Sequence, residues 1–213
     1  MPETVTSSKI LAQRIVDQAS GHRLIVAIAG PPGSGKSTLA DIVKTEIDVI
    51  HPNGCEIVPM DGFHYDNAIL DEWGVRARKG APHTFDVGGL AATLSRLRAL
   101  PAGDVAVPVF DRPADRAYAS ARMVPAASQI ILVEGNYLLL DDPSWRELEG
   151  LFDLSITIRC RFETLAQRLR TRWLDLGLSE DVAQSKCDTN DLPNCRLVID
   201  QSRPADIIFD AGI

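Results

Sequence analysis

A continuous apolar run at Leu24–Ala29 stands out in the pattern of hydrophobic and polar positions. A run without alternation predicts a strand buried on both faces, as in a parallel sheet covered by helices. Ahead of it, apolar residues within 10–16 recur at helical spacing and predict an N-terminal helix inside residues 1–21, ended by Ser20-Gly21. Further strands are predicted at residues 56–60, 105–110, 129–133, 154–158 and 207–209.

Helical periodicity lies between several of these strands, at residues 38–46, 89–100 and 161–176. Alternating strands and helices predict a three-layer, doubly wound α/β fold with a parallel sheet, whose ligands bind at the carboxyl ends of the strands. No stretch is rich enough in Pro, Gly or Ser to separate two domains. Residues 1–213 are therefore expected to form one domain, with a helical lid at about 161–195.

Composition narrows the class of protein. The net charge of −7 argues against nucleic-acid binding, although a local basic cluster can still hold an anionic ligand. No run approaches the roughly 20 apolar residues that span a bilayer, and the N-terminus lacks the apolar core of a signal peptide. Cys55, Cys160, Cys187 and Cys195 form no CxxC pair, which favours reduced structural thiols over a zinc site. The expectation is a cytoplasmic protein that binds neither nucleic acid nor membrane.

The segment directly after the first buried strand matches the phosphate-binding pattern G-x-x-x-x-G-K-[ST]. It lies between a predicted strand and a predicted helix, which is the context that this motif requires. Glycines let the backbone curl so that successive N–H groups point at phosphate oxygens, and the following helix adds its positive N-terminal end. The predicted nucleotide-binding residues are Gly30, Pro31, Pro32, Gly33, Ser34, Gly35, Lys36, Ser37 and Thr38.

Three side chains of this P-loop have separate expected roles. Lys36 is expected to reach the β- and γ-phosphates, and Ser37 to offer its hydroxyl to Mg²⁺. Thr38 is placed to touch the α-phosphate. ATP with Mg²⁺ is therefore the expected pair, although the motif does not separate ATP from GTP.

The reaction has to be inferred from other features, because P-loops serve switches, transporters and kinases alike. None of the five Asn residues is followed by Lys, so the guanine-reading Asn-Lys-x-Asp of GTPases is missing from the sequence. No Leu-Ser-Gly-Gly-Gln-like stretch indicates a transporter ATPase. These observations favour a small-molecule kinase.

Two acidic residues end predicted strands beside the P-loop. Asp61 follows the second strand, where it can accept a proton from an attacking hydroxyl; the alternative is a helix cap or turn former. Glu134 ends the apolar run Ile130-Ile131-Leu132-Val133, where it can hold Mg²⁺ through water or bind substrate hydroxyls. Its alternative is a salt-bridge acid at the sheet edge.

The helix predicted at 161–176 carries a strip of arginines beside its apolar face. Because an α-helix turns by about 100° per residue, Arg161, Arg168 and Arg172 are expected on the same side of the helix, whereas Arg170 lies on another side. Arginines on a lid stabilise negative charge during phosphoryl transfer, so Arg168 and Arg172 are candidate catalytic residues. The alternative is a solvated face with local i,i+4 pairs.

A basic stretch at residues 76–86 ends in an aromatic residue and an acid. It could form the wall of the substrate pocket, with Arg78 or Lys79 facing phosphate and Asp86 binding hydroxyls. The alternative is an exposed loop with solvated charges. His64 and Tyr65 follow Asp61 directly and can line the same pocket. A lone His is as readily a hydrogen-bonded structural residue, and no histidine here has metal-ligand spacing.

Five segments together resemble the uridine kinase, phosphoribulokinase and bacterial pantothenate kinase family of P-loop kinases. Within it, the sequence is most similar to bacterial proteins labelled fructose transport system kinase. The resemblance covers residues 24–210, and its segments are Gly-Pro-Pro-Gly-Ser-Gly-Lys-Ser at 30–37, Met-Asp-Gly-Phe-His at 60–64, Arg-Lys-Gly-Ala-Pro-His-Thr-Phe-Asp at 78–86, Val-Glu-Gly-Asn-Tyr-Leu-Leu-Leu at 133–140 and Asn-Asp-Leu-Pro-Asn at 190–194.

The resemblance implies a P-loop kinase fold with Asp61 as catalytic base and Glu134 near substrate and Mg²⁺. It also implies that the helix at 161–176 belongs to a lid and that Asn190 or Asn194 lies near a ligand. The expected activity is transfer of the γ-phosphoryl group of ATP to an alcohol hydroxyl of a small molecule. Acceptors are ranked as sugar or polyol, then nucleoside, then a pantothenate-like compound.

An alternative function is an ATP-binding regulatory or assembly NTPase that acts through a protein partner. Convergence of Asp61, Glu134 and Arg168 on one concave pocket would favour the kinase, whereas an open nucleotide face beside an exposed apolar patch would favour the regulator. The sequence leaves the oligomeric state open, including a homodimer.

Overall fold

The computed structural model describes residues 2–19, 21–99, 103–210 and 212. Its eight strands are β1 (Glu3–Val5), β2 (Leu24–Ala29), β3 (Cys55–Pro59), β4 (Val105–Asp111), β5 (Arg116–Val124), β6 (Ile130–Gly135), β7 (Leu154–Arg159) and β8 (Ile207–Asp210). Six of them form a parallel sheet in the order β1-β8-β7-β2-β6-β3, and β4 pairs with β5 in a separate antiparallel ribbon.

Helices cover both faces of the sheet. They are α1 (Ser8–Gln18), α2 (Lys36–Ile50), α3 (Asn67–Glu72), α4 (Val87–Arg98), α5 (Phe162–Asp175), α6 (Glu180–Lys186) and α7 (Leu192–Gln201). A π-helical turn at Cys187–Asp191 joins α6 to α7. In the part of the chain that the structure describes, no helix has both the length and the apolar character needed to cross a bilayer.

The central strand β2 divides the core into two layers. Ile25 and Ala27 belong to a cluster that contains α4, Tyr137 and Trp145, whereas Val26 and Ile28 belong to a cluster with α1 and α2. Successive side chains of a strand point to opposite faces, so one uninterrupted apolar run supplies both layers. This arrangement confirms the predicted three-layer, doubly wound α/β fold.

Most predicted strands lie within two residues of the observed ones, but the strand predicted at 105–110 forms the ribbon and not the central sheet. The sequence pattern did not predict β1, β5, α3, α6 or α7. β5 was missed because most of its side chains are exposed and its sequence lacks the alternation of a half-buried strand. Ser20 and Leu100, which were predicted to lie at helix ends, fall outside the described residues.

Candidate active site

The P-loop and two carboxylates meet at the carboxyl end of three neighbouring strands. β6 lies between β2 and β3. Glu134 of β6 pairs with Ile28 of β2 on one side and with Pro59 of β3 on the other. Because parallel strands end at the same edge, the residues that follow β2 and β3 converge there with Glu134. A cleft of about 1490 Å³ opens at this edge, and Lys36, Asp61, Glu134 and Arg168 all line it.

The P-loop has the backbone form of an anion cradle. Gly33 and Gly35 have φ of 79° and 90°, a region that residues with a Cβ rarely adopt, and Gly35 caps α2. A Cβ at Gly33 would lie 3.1 Å from Cγ of Leu169, so α5 packs directly on the loop. Ser34 is buried, and its Oγ has no hydrogen-bond partner among the described residues. The curved backbone fits the binding of phosphate oxygens, whereas the Ser34 hydroxyl does not line the cleft.

Lys36 is a buried ammonium with few protein partners. Its Nζ donates a 3.1 Å hydrogen bond to the carbonyl of Pro31, and the residue is 7% exposed. Burial lowers the pKa of Lys36, against the favourable charges of Glu134 and Asp61. A buried cation with one carbonyl partner gains strongly from an added anion, which fits its expected contact with phosphate.

Glu134 lies beside Ser37 and Lys36 at the end of β6. Burial raises its pKa, while the charge of Lys36 and a hydrogen bond from the Ser37 hydroxyl favour the ionised form. The next residue, Gly135, packs so tightly that a Cβ would lie 2.5 Å from Cβ of Met60. The Ser37 hydroxyl and the Glu134 carboxylate thus place two oxygen atoms side by side, and oxygen is the ligand that Mg²⁺ prefers.

Asp61 follows β3 in a short 3₁₀ turn, Met60–Phe63, and its carboxylate is paired with a residue that the sequence analysis did not identify. Nη2 of Arg112 donates a 2.6 Å hydrogen bond to Oδ2 of Asp61. Arg112 follows β4 at the tip of the ribbon, which packs on the same turn: a Cβ at Gly62 would lie 2.6 Å from the carbonyl oxygen of Pro108. The available signal was a basic residue two positions after the predicted strand at 105–110.

His64 lies between two aromatic rings in the cleft. Its ring centroid is 4.0 Å from that of Phe85 and 4.7 Å from that of Phe110. Nδ1 donates to the carbonyl of Asp61 at 2.8 Å, since a carbonyl can only accept. Burial lowers the pKa of His64 despite the nearby Asp61 charge. A neutral ring with Nδ1 protonated keeps Nε2 as an acceptor.

Two arginines of α5 reach the cleft. Nη1 of Arg168 donates at 3.3 Å to the carbonyl of Gly33 in the P-loop. Nη2 of Arg172 lies 3.4 Å from Oδ1 of Asp191, and its guanidinium stacks 5.2 Å from the ring centroid of Trp173. Arg161 precedes α5, is exposed and does not line the cleft, while Arg170 pairs with Glu180.

Four predicted substrate contacts have other surroundings in the structure. Asp86 is exposed, does not line the cleft, and caps α4 by accepting a 2.8 Å hydrogen bond from the amide of Gly89. Tyr65 packs edge-on against Trp73, and Arg78 donates to the carbonyl of Thr189; neither lines the cleft. Lys79 does line it, but its ammonium is held by Asn67 and Asp115.

The segment 190–194 connects three parts of the site. Asn190 donates a 2.9 Å hydrogen bond to the carbonyl of Lys79, and Asn194 donates at 3.3 Å to Oδ1 of Asn190. Both asparagines line the cleft. The next residue, Cys195, lies with its Sγ 3.5 Å from the carbonyl of Pro32 in the P-loop. All four cysteines are free thiols, and burial raises the pKa of Cys195 to about 12.

A P-loop at the end of β2, with acids at the ends of β3 and β6 and an arginine-bearing helix over the loop, defines a nucleotide-binding protein of the kinase type. A family model described as an AAA domain matches residues 26–181. The chain therefore belongs to this AAA-domain family, and its similarity to a relative named as a kinase makes it a member of the P-loop kinases.

Its relatives include proteins named as kinases. The chain is 38% identical over 191 residues to "Uncharacterized protein YggC" of Escherichia coli K12, covering 89% of this chain and 78% of that protein. It is 31% identical over 195 residues to "Putative uridine kinase C227.14" of Schizosaccharomyces pombe, covering 88% and 83%. A solved structure of a "putative fructose transport system kinase" from Silicibacter sp. TM1040 matches with 38% identity and a TM-score of 0.90, over 96% of this chain and all of that one.

Proposed function

We propose that this protein transfers the γ-phosphoryl group of ATP to an alcohol hydroxyl of a small molecule. The observation that carries the proposal is the meeting of Lys36, Asp61, Glu134 and Arg168 in one concave cleft. A phosphate-binding lysine, a proton acceptor and a further cation for the transferred charge are then available within one cleft. A regulatory NTPase would not need a carboxylate beside its phosphate site for an acceptor hydroxyl.

The P-loop would bind the phosphates of ATP. Backbone amides of the loop and the Lys36 ammonium supply the donors, while Thr38 lies at the start of α2 for the α-phosphate. Ser37 and Glu134 would hold Mg²⁺, which neutralises phosphate charge when bound. Burial lowers the pKa of Lys36, against the charges of Glu134 and Asp61, so a bound phosphate would further favour its charged form.

Asp61 would receive the proton of the acceptor hydroxyl. Its Oδ2 is occupied by Arg112, while Oδ1 receives no hydrogen bond from the described residues and can accept one from a substrate hydroxyl. His64 and Phe110 border this position and would contact the carbon skeleton of the acceptor. Arg168 and Arg172 would stabilise the negative charge that spreads over the transferring group.

The acceptor classes remain ranked as sugar or polyol, nucleoside and pantothenate-like alcohol. A test compares ADP formation by wild-type protein and by Asp61→Asn across such acceptors, together with Mg-ATP binding by calorimetry. We expect Asp61→Asn to bind Mg-ATP normally and to lose about 10²–10⁴-fold in kcat, the range for removing a general base. Asp41→Asn, an exposed site on α2, is the matched control.

The same experiment separates the proposal from its alternatives. Equal turnover by Asp61→Asn would remove Asp61 from the role of base. Slow acceptor-independent hydrolysis that is unchanged in Asp61→Asn would instead favour the regulatory NTPase. Lys36→Ala should weaken Mg-ATP binding, and unchanged binding would reject the nucleotide site itself.

A further inference from the structure

Lys79 and Arg112 both line the cleft, but they differ in how many of their N–H donors are already hydrogen-bonded within the protein. Nζ of Lys79 has three acceptors: Oδ1 of Asn67 at 2.7 Å, the carbonyl of Asp115 at 2.6 Å, and Oδ1 of Asp115 at 3.0 Å. An ammonium has three N–H donors, so Lys79 is saturated. Its side chain is 11% exposed, which leaves little surface for a ligand. Lys79 therefore fixes the tip of the ribbon and is not available to bind an acceptor.

Arg112 is different, because most of its donors are unused. A guanidinium carries five N–H donors, and within the described residues one hydrogen bond is made, from Nη2 to Asp61. The side chain is 66% exposed and lines the cleft, so its remaining donors are accessible. The planar fork of arginine binds carboxylates and phosphates through two parallel hydrogen bonds.

The pairing of Arg112 with Asp61 sets the distance between two groups of a ligand. Oδ1 of Asp61 is the position at which the proposed function places the reacting hydroxyl. Nη2 of Arg112 lies 2.6 Å from Oδ2 of the same carboxylate. A group bound by the free edge of the guanidinium therefore lies within a few bonds of that hydroxyl on a small molecule.

Resting on the proposed function, we propose that the acceptor is an anionic alcohol, with a carboxylate or phosphate group that Arg112 binds a few bonds from the hydroxyl to be phosphorylated. His64 and Phe110 line the same cleft and would contact the carbon skeleton. A sugar acid, a hydroxy acid or a sugar phosphate has this combination of groups. A neutral sugar leaves the free donors of Arg112 facing water.

Matched pairs of acceptors test the inference. D-glycerate and glycerol, D-gluconate and D-glucitol, and D-fructose 6-phosphate and D-fructose each differ by one anionic group, and they separate carboxylate from phosphate. The measured quantities are kcat/KM from ADP release and the rise in unfolding temperature caused by each compound with Mg²⁺ and a non-hydrolysable ATP analogue. The proteins are wild type, Arg112→Gln, Arg112→Lys and the control Arg116→Gln, which is exposed on the same ribbon.

We expect the anionic member of at least one pair to be preferred by wild type. Arg112→Gln should reduce that preference by about 10–100-fold, the loss expected for a charge-assisted hydrogen bond worth about 1.5–3 kcal/mol. Arg112→Lys should keep only part of it, because lysine lacks the two-point fork, and Arg116→Gln should keep all of it.

Two results would overturn the inference. One is the absence of any preference within the three pairs, in turnover and in unfolding temperature alike. The other is a preference that Arg112→Gln retains in full. Under either result, turnover of neutral acceptors would still support the proposed kinase activity. The proposed function fails only if Mg-ATP binding or phosphoryl transfer itself is missing.

Discussion

The indole Nε1 of Trp173 donates a 2.6 Å hydrogen bond to Oδ2 of Asp191, which joins helix α5 to the π-helical turn before α7. The same carboxylate is paired with Arg172, and Asp191 is 7% exposed. The neighbouring Asn190 is bonded to the backbone of Lys79 on the acceptor side. The buried carboxylate of Asp191 therefore holds Arg172, a proposed catalytic residue, next to the segment that also contacts Lys79.

Asp191→Leu is expected to lower the free energy of unfolding by about 0.5–1.5 kcal/mol, because it removes the acceptor of the half-buried indole N–H. Urea denaturation measures the change. In a Trp173→Phe background, the same substitution should cost less, since the donor is already gone. A double-mutant cycle with an interaction energy below about 0.5 kcal/mol would show that the bond contributes little.

Much of the fold could be predicted because parallel strands buried on both faces leave uninterrupted apolar runs. β2 and β6 are buried along their whole length; β2 was predicted at its observed ends, and β6 within two residues of them. β5 could not be predicted, because its side chains are mostly exposed and its pairing with β4 depends on partners elsewhere in the chain. α7 was missed although Pro193 in its first turn is a helix-start signal.

The site could be predicted where a residue's role follows from its local segment. The P-loop and Asp61 follow strands, Glu134 lies near the end of one, and the ends of these parallel strands meet at one edge of the sheet. Arg112 was missed because its contact with Asp61 spans 51 residues and exists only through the ribbon. Asp86 shows the converse: an acid in a suggestive motif is used locally to cap a helix.

Gly33→Ala is expected to reduce both stability and affinity for Mg-ATP. A side chain at φ of 79° costs about 1–2 kcal/mol, and the added Cβ would meet Leu169 at 3.1 Å. Gly150→Ala is the matched control, since Gly150 has φ of 80° and open space around its Cβ position. Thermal unfolding and calorimetry measure the two effects. If Gly150→Ala weakened Mg-ATP binding as much as Gly33→Ala, the effect could not be assigned to the loop.

His64 is expected to make stability fall as the solution is acidified. Burial lowers its pKa, Lys79 and Arg112 act in the same direction, and Asp61 opposes them. The folded-state pKa is then below the unfolded value of about 6.5, so the unfolded chain binds the extra proton and gains free energy as pH falls through that value. The slope is at most about 1.4 kcal/mol per pH unit for one proton.

The pH dependence can be assigned to this residue with His64→Asn, whose amide can replace the hydrogen bond to the Asp61 carbonyl. Urea denaturation from about one pH unit above to about 1.5 units below the unfolded value of about 6.5 should show a shallower decline for the variant than for wild type. His83→Asn, at an exposed position, is the control and should follow wild type. Parallel curves for wild type and His64→Asn would place the titrating group elsewhere.

Arg168 and Arg170 lie two positions apart on the same helix, and only one should matter for phosphoryl transfer. Arg168 reaches the P-loop carbonyl of Gly33, whereas Arg170 is exposed and pairs with Glu180. A guanidinium beside the transferring group stabilises charge that is larger in the transition state than in bound ATP, so its loss lowers kcat more than it raises KM for ATP. Arg168→Gln is expected to lower kcat by about 10²–10³-fold, while Arg170→Gln should stay within about twofold of wild type. Initial rates of ADP formation with a saturating acceptor measure both.

A rise in KM for ATP at unchanged kcat would instead assign Arg168 to ground-state binding of nucleotide, because an interaction equally strong before and during transfer does not alter turnover.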